Sequence, residues 1–429
     1  MGLRKTIGLA QGIAIAVGMV IGSGLLGLPG MAISAVGEGT ALLGWACVIV
    51  LMVPMLLVFI RLGLTYTTAA GLAKYAEIAA GPWASYGVTA VLCGTFSIGI
   101  PALALIGSAY ACRLLGLPEA PWLHVLAIAF LLASTAMHAA GVRVASMINS
   151  LSLYLVIALV LAMVATNADA LAAGAHVLGD YLAEPGKWDP GRLWLVMALL
   201  FWAFLGWENM SFGLEEFREP QTTIPLVYWF SFILVSAMYL ALALVVTGAH
   251  ASGRDASGIG GLSALLHETW LGTAMLLVMV FVIVANANSW VFGASRLIYS
   301  AGTKGILPIQ LGKVSSAGIP LNSLLLAVVV YAAVLLLTLL FEIPVAQIVL
   351  VVSQNFLVLY GFSIVAYFRL VGRGNASLAV GVASLASCAV LLAGFTWWLF
   401  YPLFWLGVGY YAYRFKGERA ACAASAATD

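Results

Sequence analysis

Between residues 8 and 415 one apolar stretch follows another, each about as long as a lipid bilayer is thick. They run roughly 8–35, 40–62, 84–114, 121–140, 146–167, 191–213, 224–248, 270–300, 321–341, 344–368, 376–396 and 397–415. A helix rises about 1.5 Å per residue, so about 20 apolar residues cross the hydrocarbon core. Only 8% of the residues are charged and 64% are hydrophobic, whereas a soluble domain carries about 25% charged residues. A water-soluble globule is excluded. The expected fold is all-α and integral to a membrane, with about 12 transmembrane helices.

The few charges orient those helices. Twelve spans put both termini on one side of the bilayer. With the N-terminus in the cytoplasm, 14 of the 18 basic residues fall inside, Arg61, Lys74, Arg218, Lys304 and Arg414 among them, and 4 outside: Arg113, Lys187, Arg192 and Arg254. The positive-inside rule therefore selects cytoplasmic termini, and a multi-pass protein of the cell inner (cytoplasmic) membrane is the expectation. The first stretch lacks a small-residue cleavage site and is too long for the apolar core of a signal peptide. A single transmembrane domain over 1–415 is expected, followed by a short cytoplasmic tail at 416–429. The polar connections 168–190 and 249–269 read as outside loops, and the connection 62–82 carries Tyr75, with Trp83 directly after it, as candidate interface anchors.

The five cysteines and five histidines are scattered, with no CxxC and no metal-ligand spacing. Neither disulfides, a metal nor another cofactor is expected, and no nucleic-acid partner is.

Two of the apolar stretches are interrupted. The first reads Ile21-Gly22-Ser23-Gly24-Leu25-Leu26-Gly27-Leu28-Pro29, the second Phe201-Trp202-Ala203-Phe204-Leu205-Gly206-Trp207-Glu208. Inside lipid, open backbone is tolerated only where it is buried in protein or lines a cavity. These interruptions open stretches one and six. Five spans is an odd number, so the second set enters from the opposite side. The arithmetic is that of an inverted repeat, about 8–167 and about 191–368, with two extra helices at about 376–415; paired breaks of this kind point to a transporter's binding site.

The chemistry of the two breaks differs. Gly22-Ser23-Gly24 removes side chains and lets the backbone approach a ligand, and the helix resuming near Leu25 offers free N–H groups and a positive dipole end to a carboxylate. A packing notch between helices is the alternative for a GSG sequence alone. At the second break, Gly206 loosens the helix so that carbonyls near Trp202, Ala203 and Leu205 can face an ammonium. Glu208 is the one carboxylate in the middle of a span. An intramembrane acid is costly, which makes it a candidate proton acceptor or gate partner; the alternative is an acid reaching the interface or held by unwound backbone. Cys93, Gly94, Ile98, Trp290, Gln354 and Asn355 are further pocket candidates, each with core packing as its alternative.

Three motifs in order resemble a known family. The FWAFLGWE run at 201–208, followed by Phe217-Arg218-Glu219-Pro220 and Ile224-Pro225, is similar to the sixth helix and following loop of the amino acid–polyamine–organocation (APC) superfamily. Gly22-Ser23-Gly24 with Leu28-Pro29 resembles its first helix. Ser295-Arg296-Leu297-Ile298-Tyr299 with Gly305-Ile306-Leu307-Pro308 resembles the end of its eighth. The segments 8–13 and 98–103 look most like the bacterial exporter group for methionine and branched-chain amino acids.

The resemblance implies a LeuT-type fold. It implies an α-carboxylate held at Ser23 and Gly24, an α-amino group held by carbonyls at Ile21, Trp202 and Leu205, and Phe204 or Trp202 as an aromatic gate. There are departures. Many proton-coupled relatives carry a lysine midway along the fifth helix, and 150–156 contains none. Ser289 and Ser295 are the only candidates for sodium-binding hydroxyls on the eighth helix, and Lys304 stands where the family often has Asp.

A site of backbone and apolar walls discriminates by volume, at about 1–3 kcal/mol per methylene-scale difference. The expected function is secondary active transport of neutral hydrophobic amino acids (methionine, leucine, isoleucine, valine) by alternating access, outward and proton-coupled. The alternatives are uptake or exchange on the same fold, or a non-transporting nutrient sensor. An enzyme is not expected, because Glu208 has no titratable neighbour in sequence.

Overall fold

The computed structural model describes the chain apart from residues 1–6, 66–70, 141–142, 213, 267–268, 317, 372–373, 396 and 427–429. The side chains of Ser23 and of 140, 143–150, 209, 211–212, 215 and 416–426 also lie outside the described part. Helices dominate it: α1 (Leu9–Val20), α2 (Ser23–Val36), α3 (Glu38–Thr65), α4 (Gly71–Ala80), α5 (Pro82–Leu115), α6 (Glu119–Ala140), α7 (Arg143–Thr166), α8 (Ala168–Ala183), α9 (Pro190–Leu200), α10 (Pro220–Ala251), α11 (Trp270–Lys304), α12 (Leu321–Leu340), α13 (Val345–Leu370), α14 (Asn375–Leu392) and α15 (Phe400–Ala426). Among the described residues the only extended pairing is an isolated bridge between Ile7 and Phe217.

Eight of these helices (α3, α5, α6, α10 to α14) are long and apolar enough to cross a bilayer, and ten spans result if each bent pair counts as one. Twelve were expected from the sequence. Of the remaining expected stretches, two correspond to the bent pairs, α1 with α2 and α7 with α8, while α15, rich in tyrosine, and 191–213, where the α-helix stops at Leu200, do not count among these spans.

α5 is the mast of the fold, and it packs against α4, α6, α11, α13 and α15. Gly81 with Pro82 opens it and Gly116, at φ +65, closes it. Its glycines let neighbours approach closely, as small residues do between membrane helices. A Cβ at Gly94 would run into Trp405, and one at Gly107 would lie 2.8 Å from Ile283.

Two connections differ from expectation. Most of 168–190 is not loop but α8, which turns 81° from α7 and locks onto α10. A Cβ on Gly174 would strike the Leu244 carbonyl, and one on Gly248 the Ala170 carbonyl. Within 62–82, α4 buries Tyr75 to 2% exposure against the protein, so Tyr75 is a core residue and not an interface anchor. Trp83 is half-buried and meets the rings of Phe362 and Tyr410.

At one end of the bundle the 252–266 connection lies over α2, with the Gly258 N–H donating to the Gly30 carbonyl at 3.1 Å. At the other end the Ile7 N–H donates to the Glu216 carbonyl (3.0 Å) and the Arg218 N–H to the Ile7 carbonyl (3.1 Å). The start of α1 is thus tied to the segment that follows the second interrupted stretch.

Candidate substrate site at the two helix breaks

α1 ends at Ile21, whose φ of −79° and ψ of 121° are extended, and α2 resumes at Ser23 after an N-cap Gly22. The two helices bend 40° across this break. An extended residue turns its carbonyl out of the helical ladder, so the Ile21 oxygen points away from the α1 axis. The N–H groups of Ser23 and Gly24, in the first turn of α2, have no intrahelical acceptor, while the Leu25 N–H donates back to the Gly22 carbonyl at 3.1 Å.

In the second break, α9 tightens after Leu200 into a 3-10 turn over Phe201–Phe204, and Leu205 is extended (φ −79°, ψ 140°). Gly206 then takes φ +128°, a conformation that glycine alone adopts readily. A 3-10 turn over Trp207–Phe212 follows. The Trp202 carbonyl accepts the Leu205 N–H at 3.2 Å and so already has a partner inside the turn.

The two breaks touch. A Cβ on Gly206 would lie 2.6 Å from the Met19 carbonyl oxygen and 3.1 Å from Val20 Cα. Backbone therefore rests on backbone where both helices have come apart. Glu208, completely buried, braces this arrangement. Both of its carboxylate oxygens accept the Gly206 N–H, at 3.0 and 2.9 Å, and Oε2 also accepts the Tyr360 hydroxyl at 2.7 Å. Tyr360 is held in turn by edge contacts with Phe59 and Phe201 at 4.8 and 5.5 Å.

A cavity opens beside the breaks. It is small, about 30 Å3, with room for no more than about two waters. An amino acid therefore requires its walls to move apart. Gly22, Gly24, Trp202, Leu205 and Trp290 line it, as do Thr95, Phe96, Gly99 and Val352 from the α5 and α13 side and Asn286 from α11. Phe96 and Trp290 meet edge to face at 5.1 Å, and no charged side chain is among the lining residues.

The other residues singled out by sequence do not line this cavity. Ile21, Leu25, Ala203 and Phe204 are buried, and Gly206 packs on α1 as described. Asn355 donates from Nδ2 to Thr95 Oγ1 at 2.9 Å and so lies behind the wall. Cys93, Gln354 and Ile98 are not among the lining residues. The side chain of Ser23 lies outside the described part.

Sequence reasoning missed two polar groups. The Asn286 amide abuts Gly22 so closely that a Cβ there would strike it. The Tyr239 hydroxyl, on α10, would lie 3.1 Å from a Cβ on Gly24, and Trp202 Cδ1 3.2 Å from it. That hydroxyl is buried and has no hydrogen-bond partner among the described residues. The Tyr239 ring stacks on Trp45 at 5.0 Å and meets Phe204 at 5.7 Å, so its hydroxyl is held firmly at the first turn of α2.

The family model for amino acid permeases matches residues 7–415, nearly the whole chain. The chain belongs to the amino acid permease family, within the APC superfamily. It is 26% identical over 426 residues to the uncharacterized amino acid permease YecA of Bacillus subtilis, covering 97% of each chain. It is 25% identical to the L-methionine/branched-chain amino acid exporter YjeH of Escherichia coli, over 94% of this chain and 95% of that one. The human b(0,+)-type amino acid transporter 1 is 28% identical over 71% of this chain and 64% of its own. Among solved structures, MhsT in complex with L-phenylalanine superposes with a TM-score of 0.62, covering 92% of this chain and all of that one at 14% identity. That likeness shows a LeuT-type fold. Amino acid transport across a membrane is what this permease performs.

Proposed function

We propose that this permease is a secondary active exporter of neutral hydrophobic amino acids (methionine, leucine, isoleucine and valine) that is coupled to protons and works by alternating access. The observation that carries the proposal is the contact between two helix breaks that present opposite polarities. On one side stand the Ser23 and Gly24 N–H groups at the start of α2, with the Tyr239 hydroxyl, which has no partner among the described residues, aimed at the same turn. These donors suit an α-carboxylate. On the other side the extended Ile21 and Leu205 turn their carbonyls out of the helix and suit an α-ammonium. Trp202 stands over Gly24 as an aromatic gate.

The wall opposite the breaks explains the side-chain preference. Phe96, Ile100, Leu103, Trp290 and Val352 surround the cavity without a charge, so a basic or acidic side chain would enter unpaired and meet a desolvation cost. Glu208 is assigned to gating: it holds Gly206 against α1, and the described groups around it donate to it. The pairing of Ile7 with residues 216–218 lets the first and sixth interrupted stretches rock together. The proposed frame is two repeats of five spans, about 8–167 and 191–368, with the last two helices outside them. The outward direction draws on the exporter named among the relatives.

Purified protein in proteoliposomes, loaded in turn with each neutral amino acid and given an imposed ΔpH or ΔNa⁺, tests this reading. Efflux of methionine or leucine driven by ΔpH and indifferent to ΔNa⁺ is the expected result. Equal flux of arginine or glutamate, or flux that follows only ΔNa⁺, contradicts it.

A further inference from the structure

The buried residues of α6 form one narrow stripe, Ala127, Leu131, Ser134 and His138, at the three- and four-residue spacing of a single helix face. α6 packs on α5, α11 and α12, and the end of the stripe that meets α11, at His138, is polar where an apolar contact would suffice. His138 and Ser134 are both fully buried. His138 Nε2 lies 2.8 Å from the backbone oxygen of Asn288. A carbonyl can only accept, so Nε2 carries the ring hydrogen and Nδ1 is left with its basic lone pair. Nδ1 has no hydrogen-bond partner among the described residues, nor has Ser134 Oγ, nor either atom of the Asn288 amide. The Asn288 side chain nevertheless lies close enough to act on the ring. Buried polar atoms without partners are rare, and a group of four on one helix contact calls for a function.

The position of the group on α11 suggests which. Asn286 and Trp290 on that helix line the cavity. Asn288 lies two residues on from Asn286 and Phe292 two on from Trp290, about 200° around the helix at 100° per residue. One face of α11 is thus a wall of the substrate cavity, and the opposite face carries the contact with His138. The Phe292 ring lies 5.5 Å from the imidazole, with the Arg296 guanidinium stacked 3.8 Å above that same ring. Of the described residues on α5, α7, α11 and α12, Arg296 is the charged group that acts on His138.

We propose that His138 is the proton-binding residue of the transport cycle, an inference that rests on the proton-coupled reading above. One proton from one side of the membrane adds to the Nδ1 lone pair, and the same N–H bond breaks when it leaves to the other side; no other bond changes. The imidazolium then has a second hydrogen to donate, and Asn288 Oδ1 and Ser134 Oγ are buried acceptors on the two packed helices with no partner among the described residues. Turning either toward Nδ1 changes how α6 grips α11, and α11 carries Trp290 and Asn286 with it. Occupancy of the proton site is thereby linked to the width of the substrate cavity.

The test uses full-length protein in proteoliposomes with a trapped pH-sensitive dye and leucine as the probe. In the wild type, leucine flux carries protons and depends on pH. His138→Gln keeps a donor near the Asn288 carbonyl but has no basic nitrogen. It should lose the leucine-driven proton signal at least 10-fold and flatten the pH profile, while leucine-dependent thermal stabilisation reports that the protein is folded. Asn288→Leu retains the histidine and removes the amide, and it should also weaken the proton signal several-fold; it stands as the test if His138→Gln does not fold. A wild-type proton signal and pH profile in a folded His138→Gln, or in Asn288→Leu when that variant must stand alone, overturns the inference and leaves proton coupling intact. Leucine flux without proton movement in the wild type overturns both.

Discussion

Gly206 is where the account of the two breaks is most exposed to test, through Gly206→Ala. The residue sits at φ +128°, where an alanine is strained by about 1–3 kcal/mol. Its new Cβ would also stand 2.6 Å from the Met19 carbonyl oxygen and 3.0 Å from the Met19 carbonyl carbon. Neither is the end of a flexible side chain; both belong to the backbone of α1 next to the first break. Forcing them apart adds an overpacking cost of about 1–3 kcal/mol. Together, about 2–6 kcal/mol falls on the one arrangement in which both breaks meet. Conformers of a transporter differ by only a few kcal/mol, and 1.4 kcal/mol is a factor of ten, so the paired arrangement should be depopulated at least about 30-fold. The assay is leucine binding by thermal stabilisation, together with leucine counterflow in proteoliposomes. Gly361→Ala serves as the control, because a Cβ there meets nothing within 4 Å and alanine is favoured over glycine in a helix by about 1 kcal/mol. Loss of binding in Gly206→Ala with retention in Gly361→Ala is the expected pattern. Wild-type affinity and flux in Gly206→Ala would refute the idea that contact between the breaks builds the site.

Three further outcomes follow from named contacts. Tyr239→Phe should leave thermal stability without leucine unchanged or slightly raised, since the buried hydroxyl has no described partner. It should also weaken leucine binding about 2- to 10-fold, the worth of one hydrogen bond, as titration of the stabilisation would show. Glu208→Gln turns one acceptor into a donor facing the Gly206 N–H or the Tyr360 hydroxyl; it should lower the melting temperature and slow flux while the pH profile keeps its shape. A pH profile abolished in Glu208→Gln alone would return the coupling role to that residue. Trp290→Ala opens the edge-to-face wall with Phe96 and should shift competition in favour of phenylalanine over valine; an unchanged ranking of competitors would remove Trp290 from the specificity wall.

Much of this was legible in the sequence, for physical reasons. Long apolar stretches mark helices that cannot be elsewhere than in lipid, and glycine at 22, 24 and 206 marks backbone that must come close to something. What the sequence did not carry was the identity of that something. That Gly206 rests on Met19, or Gly22 on Asn286, depends on which helices pack, and no local pattern encodes it. Tyr239 and Asn286 are single polar residues in apolar helices, and Tyr239 reads like any aromatic until its hydroxyl is found without a partner beside Gly24. Tyr75 reads as an interface anchor because polar connections carry such anchors; a ten-residue helix folds it into the core instead. The same blindness hid α8, whose alanines and glycines look like linker until Gly174 and Gly248 interlock with the facing backbone.

The central claim is that an amino acid is held where the two breaks meet, and counterflow of labelled leucine or methionine by wild type and Gly24→Leu tests it most directly. A Cβ at Gly24 already stands 3.1 Å from the Tyr239 hydroxyl and 3.2 Å from Trp202 Cδ1, so a leucine there fills the space proposed for the carboxylate. The account predicts saturable exchange by the wild type and none by a folded Gly24→Leu. Exchange by Gly24→Leu equal to the wild type, or no exchange of either amino acid by the wild type, would contradict it.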